Sequence, residues 1–167
     1  TELIFTSSAT ESNNQIIAGL KNKLLQRGES FLGFMGDHAS LTAPLEDLKK
    51  EGIPGELLSH LPRDGEGACN WEEFFSQNFN QSTSKVGLIA LAHVNSQSGD
   101  LLPLNEFLPK LRAWFPNAHI HIDAAQSFAK FNDDWKSLDF DSLSLSSHKI
   151  GGPKGIGGLV LKNGLSL

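Results

Sequence analysis

The chain has 167 residues, with 14 Lys+Arg against 19 Asp+Glu, a formal net charge of −5 and a single cysteine. That length suits one domain or a piece of a larger protein, and it is enough to bury about 70% of the unfolded surface in a core. One cysteine makes neither an internal disulfide nor a cysteine-rich zinc site, no apolar run nears the roughly 18 residues of a membrane span, and no charged-then-apolar leader pattern stands at the start.

The pI near 5.6 argues against nucleic acid as a partner. The 39% hydrophobic residues, taken with sixteen glycines, fall in the ordinary range of folded chains, so disorder is not indicated. A cytoplasmic globular protein is the default expectation.

Two patterns alternate along the chain. Residues 3–6 are a short apolar run that ends in the polar stretch SSATESNN. Ile16, Ile17, Leu20, Leu24 and Leu25 then follow with the spacing of one helix face. Ser8, Thr10 and Ser12 each offer an N-cap, and Gly28 suits the far end. Residues 31–36 read as a second strand leading into Asp37 and His38, and 45–51 as a short helix closed by Gly52. A weak strand is predicted over 56–61 and a helix over 71–79, with 81–85 as a loop. VGLIALA at 86–92 is the strongest buried strand, 104–115 an amphipathic helix stopped by Pro116, and 119–122, 142–145 and 158–162 are further strands. Strands alternating with helices predict an α/β fold with a mostly parallel sheet and helices on both faces.

The informative polar residues stand just after the apolar runs, at the carboxyl ends of the predicted strands, where open parallel sheets place their ligands. Five such segments occur: SSATESNN, GDHAS, HVNSQSGD, DAAQS and SSHKIGGPKGIG. Parallel strands bring all five to one edge.

Each segment has a plain and a chemical reading. The Ser8-Ala9-Thr10 stretch is an ordinary helix cap or a phosphate site built from backbone N–H groups, hydroxyl and helix dipole. Asp123 either caps the next turn or pairs with a cation or donor. His38 is a solvated loop ring or an aromatic beside a planar cofactor. Lys149 is solvated, binds phosphate or forms a Schiff base. Its loop is not a Walker A motif, which needs a glycine before the lysine and Ser or Thr after it. Nor does a G-x-G-x-x-G fingerprint follow the first strand.

His119 and His121 share one strand face and form a two-histidine metal candidate without a matched third ligand. Cys69 reads as a structural thiol, and Trp71, Phe74 and Phe75 as core residues.

At the lysine loop a resemblance becomes specific. TSSATESNN, GDHAS, HVNSQSGD, HIDAAQSFAK and SLSSHKIGGPKGIGGLVL occur in the order and spacing found in a group of pyridoxal-phosphate enzymes. The chain resembles the large domain of cysteine desulfurases and their relatives in the class V aminotransferase group, from about residue 6 to residue 161.

The resemblance implies a three-layer α/β/α sandwich whose strand 158–162 is antiparallel. It implies Lys149 as the Schiff-base lysine and Asp123 facing the pyridine nitrogen. Gln126 would meet the phenolic oxygen, and Asn95 would sit beside the ring. His38 would stack on the ring and assist proton transfer. Ala9, Thr10, Ser146, Ser147 and His148 would surround the phosphate. No metal is implied.

The implied parent reaction removes sulfur from L-cysteine, giving alanine and an enzyme persulfide. The implied setting is a homodimer that serves a sulfur-acceptor protein in iron–sulfur cluster assembly. Selenocysteine lyase, cysteine lyase or aminotransferase activity on the same scaffold, and an inactive isolated domain, are the alternatives.

Three positions depart from the group's pattern: Ser8 stands where glycine is common, Gln97 where glutamate is, and Ser147 where glycine or alanine is. The resemblance also implies that 1–167 is one large cofactor-binding domain, lacking a preceding segment and a small C-terminal domain. The persulfide-forming cysteine and the arginine that grips the substrate carboxylate would lie in that later part. Cys69 does not stand in the nucleophile's context.

Overall fold

A computed structural model describes residues 1–59, 73, 75, 76 and 85–162. In chain order the elements are β1 (Glu2–Thr6), α1 (Ala9–Arg27), β2 (Ser30–Phe34), α2 (Ala39–Lys50), β3 (Gly55–Leu58) and β4 (Val86–Ala92). There follow α3 (Leu104–Trp114), β5 (His119–Asp123), β6 (Ser142–Ser146), a 3₁₀ turn over Ser147–Ile150, and β7 (Gly157–Leu161). The strands form one sheet in the order β1-β7-β6-β5-β4-β2-β3. β7 runs against both neighbours, β1 and β6, and every other pairing is parallel. The fold is thus a three-layer sandwich with one antiparallel strand, the one that follows the lysine loop.

Period-2 alternation sorts the strand residues between two cores. From β4, Ile89 and Leu91 face a cluster with Phe107, Leu108 and Leu111 of α3. Leu88 and Ala90 face the other side, with Ile16, Ile17, Leu20 and Leu24 of α1 and Leu41, Leu45 and Leu48 of α2. Each fully buried Leu or Ile side chain contributes about 1.5–3 kcal/mol, so both helical layers are held by their apolar stripes.

Of the three N-cap candidates, Ser8 is the one used: its hydroxyl accepts from Glu11 N at 3.2 Å, while the Glu11 carboxylate accepts from Ser7 N at 2.6 Å. Gly28 ends α1 in the left-handed region, at φ 60°, where a side chain would be strained.

α2 is longer than the predicted 45–51 helix. The His38 ring accepts from Ser40 N at 3.1 Å and caps a start at Ala39, six residues earlier. The second and third strands end at Phe34 and Leu58, sooner than expected. Of the helix expected over 71–79, Glu73, Phe75 and Ser76 are described and helical. Phe75 is buried against Phe107, Trp114 and Phe115. Cys69, Trp71, Phe74 and most of 81–85 lie outside the described residues. Among the described residues, no helix is long and apolar enough to cross a membrane.

Candidate active site

β1, β2, β4, β5 and β6 all run in one direction, so their carboxyl ends share an edge. A cavity of about 410 Å³ opens there, within the usual range for small-molecule sites. Ala9 and Thr10 reach it from the start of α1, and His38 from the start of α2. Asp123 and Gln126 line it from the end of β5, and Ser146, His148 and Lys149 from the end of β6.

Two candidates stand elsewhere. The Asn95 amide is committed to its own turn: it donates to Gly36 O at 2.6 Å and accepts from Gln97 N and Ser98 N, both at 2.9 Å. It lines a neighbouring cavity of about 380 Å³ instead. Ser147 is likewise not on the wall. Its backbone is tied into the lysine loop, donating to Ile156 O and accepting from Gly152 N, and its side chain abuts Gly152, where a Cβ would lie 2.1 Å from Ser147 Oγ.

Asp123 is nearly buried, and both its oxygens are engaged: Oδ1 accepts from Ala125 N at 2.9 Å and Oδ2 from Asn13 Nδ2 at 2.7 Å. Lys149 sits on the 3₁₀ turn, exposed, without a hydrogen bond or ion pair among the described residues. The Ser146 hydroxyl meets His148 Nδ1 at 2.9 Å. The first-turn N–H groups of Ala9 and Thr10 have no intrahelical acceptor and point with the helix dipole's positive end. The β1–α1 turn is pressed against β7: a Cβ on Gly157 would lie 2.5 Å from the Ser8 backbone.

This donor set fits pyridoxal phosphate: an amine without a partner among the described residues, a buried carboxylate, and hydroxyl and N–H donors, all on one cavity wall. The fit rests on the chemistry of the groups.

Several residues of the site carried no mark in the sequence reading. Asn13 and Ser40 are buried beneath Asp123 and His38, and Asn13 Nδ2 also donates to Ser40 Oγ at 2.9 Å. His119 and His121 do not gather a metal set; among the described residues no cluster could hold an ion. Instead both rings meet the Ser142 hydroxyl at 2.7 Å, and His121 Nε2 meets Asn13 Oδ1 at 2.9 Å. Burial pushes His121 down to about 3 and His119 down to about 4.

Asp37 is a further case. Its carboxylate accepts from Ala92 N at 3.0 Å, and burial, with the Asp123 charge adding to it, pushes its pKa up to about 7. The signal for Asn13 is its phase: with Ile16, Ile17, Leu20 and Leu24 it falls on the apolar stripe of α1.

The family model for class-V aminotransferases matches residues 1–166. The chain is 30% identical over 166 residues to the cysteine desulfurase IscS of Clostridium botulinum (strain Hall), covering 99% of this chain and 40% of that protein. It is 33% identical over 167 residues to a NifS/IcsS protein homologue of Lactobacillus delbrueckii subsp. bulgaricus, covering 99% and 41%. Among solved structures, DndA from Streptomyces lividans superposes with a TM-score of 0.79 at 34% identity, covering 96% of this chain and 42% of that one. A structure of SspA in complex with cysteine superposes with a TM-score of 0.79 at 30% identity, covering 95% and 43%. The chain therefore spans about 40% of the length of the curated relatives it matches.

Proposed function

The chain belongs to the class-V aminotransferase family, and from that premise we propose that it is the large, cofactor-binding domain of a pyridoxal-phosphate-dependent cysteine desulfurase. One observation carries the proposal: a single cavity brings together Lys149, whose amine has no partner among the described residues, the buried Asp123 carboxylate and the first-turn N–H groups of α1. The curated relatives named cysteine desulfurase and the cysteine-bound SspA support L-cysteine as substrate.

Pyridoxal phosphate, when bound, supplies an electron sink for the substrate's developing carbanion. The remaining roles belong to this chain. Asp123 would hold the pyridine nitrogen in its protonated form, and Gln126 would orient the ring through its phenolic oxygen. Ala9, Thr10, Ser146 and His148 would bind the phosphate, with Ser147 and Asn95 shaping the loops beside them. Lys149 would hold the cofactor covalently, then accept and return a proton once substrate replaces it. His38 would cover the ring and assist the proton transfer.

The whole protein would release alanine, keep the sulfur as a persulfide and pass it to an acceptor protein in iron–sulfur cluster assembly. It would do so as a cytoplasmic homodimer, with residues 1–167 as its large domain and the nucleophilic cysteine in the remainder.

The test is a titration of the full-length protein with pyridoxal phosphate, followed by borohydride reduction and peptide mapping. The expected result is one saturable adduct on Lys149 that is lost in Lys149→Ala. An adduct that persists in that variant, or no saturable binding by the wild type, would overturn the reading.

A further inference from the structure

Beneath the cavity the sheet presents a buried polar face to α1. β5 contributes His119, His121 and Asp123, and β6 contributes Ser142, Ser144 and Ser146. A buried polar group needs a partner, and most of these are joined in one string through Asn13.

The donors and acceptors in that string can be assigned. Asn13 Nδ2 lies 2.7 Å from Asp123 Oδ2 and 2.9 Å from Ser40 Oγ. Turning the amide over would set Oδ1 against a carboxylate oxygen, acceptor on acceptor, so Nδ2 faces Asp123. Both its hydrogens are then used, and Oδ1 faces His121 Nε2 at 2.9 Å. A carbonyl oxygen accepts, so His121 Nε2 carries a proton.

Burial keeps His121 neutral, which leaves its Nδ1 bare. Ser142 must therefore donate its only hydrogen to His121 Nδ1, at 2.7 Å. Its oxygen then accepts from His119 Nε2, also at 2.7 Å, and His119 Nδ1 has no partner among the described residues. On the other branch Ser40 accepts from Asn13 and donates to His38 Nδ1, which already accepts from Ser40 N.

We propose that Asn13 is the positioning residue for Asp123, and that it orders one directional string of hydrogen bonds in which His119, His121 and His38 all carry their proton on Nε2. The string holds the carboxylate in one orientation and leaves His38, while it caps α2, presenting an N–H donor rather than an acceptor. The proposal deepens the reading of Asp123 as a cofactor-facing group and rests on it for its functional consequence, but its proton arrangement is a property of the protein alone.

Long-range ¹H–¹⁵N NMR of histidine-labelled, cofactor-free full-length protein at neutral pH reads that arrangement. The expected result is the Nε2–H form for all three rings. Ser142→Ala should leave His121 in that form, fixed by Asn13, while His119 loses its partner and shows both tautomers. Asn13→Ala should release His121 and weaken pyridoxal-phosphate binding about tenfold, whereas Ser142→Ala should weaken it far less. A proton on Nδ1 of His121 or of His38 in the wild type would overturn the proposal. So would a mixed His121 in Ser142→Ala, or an unchanged cofactor dissociation constant in Asn13→Ala. If Asn13→Ala does not fold, the wild-type and Ser142→Ala spectra decide. A wild type that shows these tautomers but binds no cofactor would sink the proposed function and uphold the string.

Discussion

Asp37→Asn isolates a single buried charge. In the fold, burial raises the Asp37 pKa from 3.8 to about 7. At about 1.36 kcal/mol for each tenfold change in proton affinity, that difference is worth about 4 kcal/mol. Asp37 is half-buried and opens onto a cavity, so solvent screening reduces the figure to about 2 kcal/mol. The folded value lies above the unfolded one, so the native state holds this proton more tightly. Its stabilisation is full below about pH 4 and lost as pH rises through about 7. Asparagine keeps an acceptor for Ala92 N and never ionises.

Urea denaturation of wild type and variant, compared at matched pH between about 4 and about 8, should give a difference near zero in acid. The difference should grow to about 2 kcal/mol in favour of the variant above neutrality. His119 and His121 run the opposite way. Their folded values lie below 6.5, so their contribution is lost as pH falls from there toward about 4. Being common to both proteins, they cancel in the difference. A difference that is flat across the range, or largest in acid, would refute the burial argument.

Gly157→Ala would drive a methyl group into the Ser8 backbone. It should lower stability by about 1–3 kcal/mol and, by moving the β1–α1 turn, weaken pyridoxal-phosphate binding. Urea midpoints and a cofactor titration read the two effects. Leu111→Ala empties a fully buried position of α3 and should cost about 2–5 kcal/mol. Because α3 packs on the sheet face opposite α1, cofactor affinity at a temperature where the variant stays folded should not change.

The layered fold was legible because VGLIALA is an unbroken apolar run, because 104–115 carries the helical period, and because polar motifs stand after each apolar run. The antiparallel direction of β7 was implied by the family resemblance and not by any local pattern. HIHID and SLSLS were harder. Strict alternation reads as a half-exposed strand, yet His119, His121, Ser142 and Ser144 are all buried. What covers them is α1, and what makes that tolerable is a partner set drawn from distant segments, which no local pattern displays. Asn13 is one of two adjacent asparagines, and only its phase with Ile16 and Ile17 separates it from the exposed Asn14. Asn95 faces the neighbouring cavity for a conformational reason: its amide closes a turn, and a motif's order along the chain does not reveal that.

The placement of β7 has a consequence for assembly on the ribosome. Among the described strands, β1 pairs only with β7, joining Glu2 to Leu161 and Thr6 to Gly157. At about 5–20 residues per second, on the order of ten to thirty seconds separate the synthesis of those two strands. During that interval Ile16, Ile17 and Leu20 lack the apolar partners Leu159 and Leu161 that complete their cluster. The turn that begins α1 also lacks the strand that backs it. Nascent chains should therefore stay protease-sensitive at β1 and α1 until β7 has cleared the exit tunnel. The segment after Lys149 acts as the closing clasp of the domain, and truncations before Gly157 should leave the first strand unpaired whatever the quality of the remaining sheet.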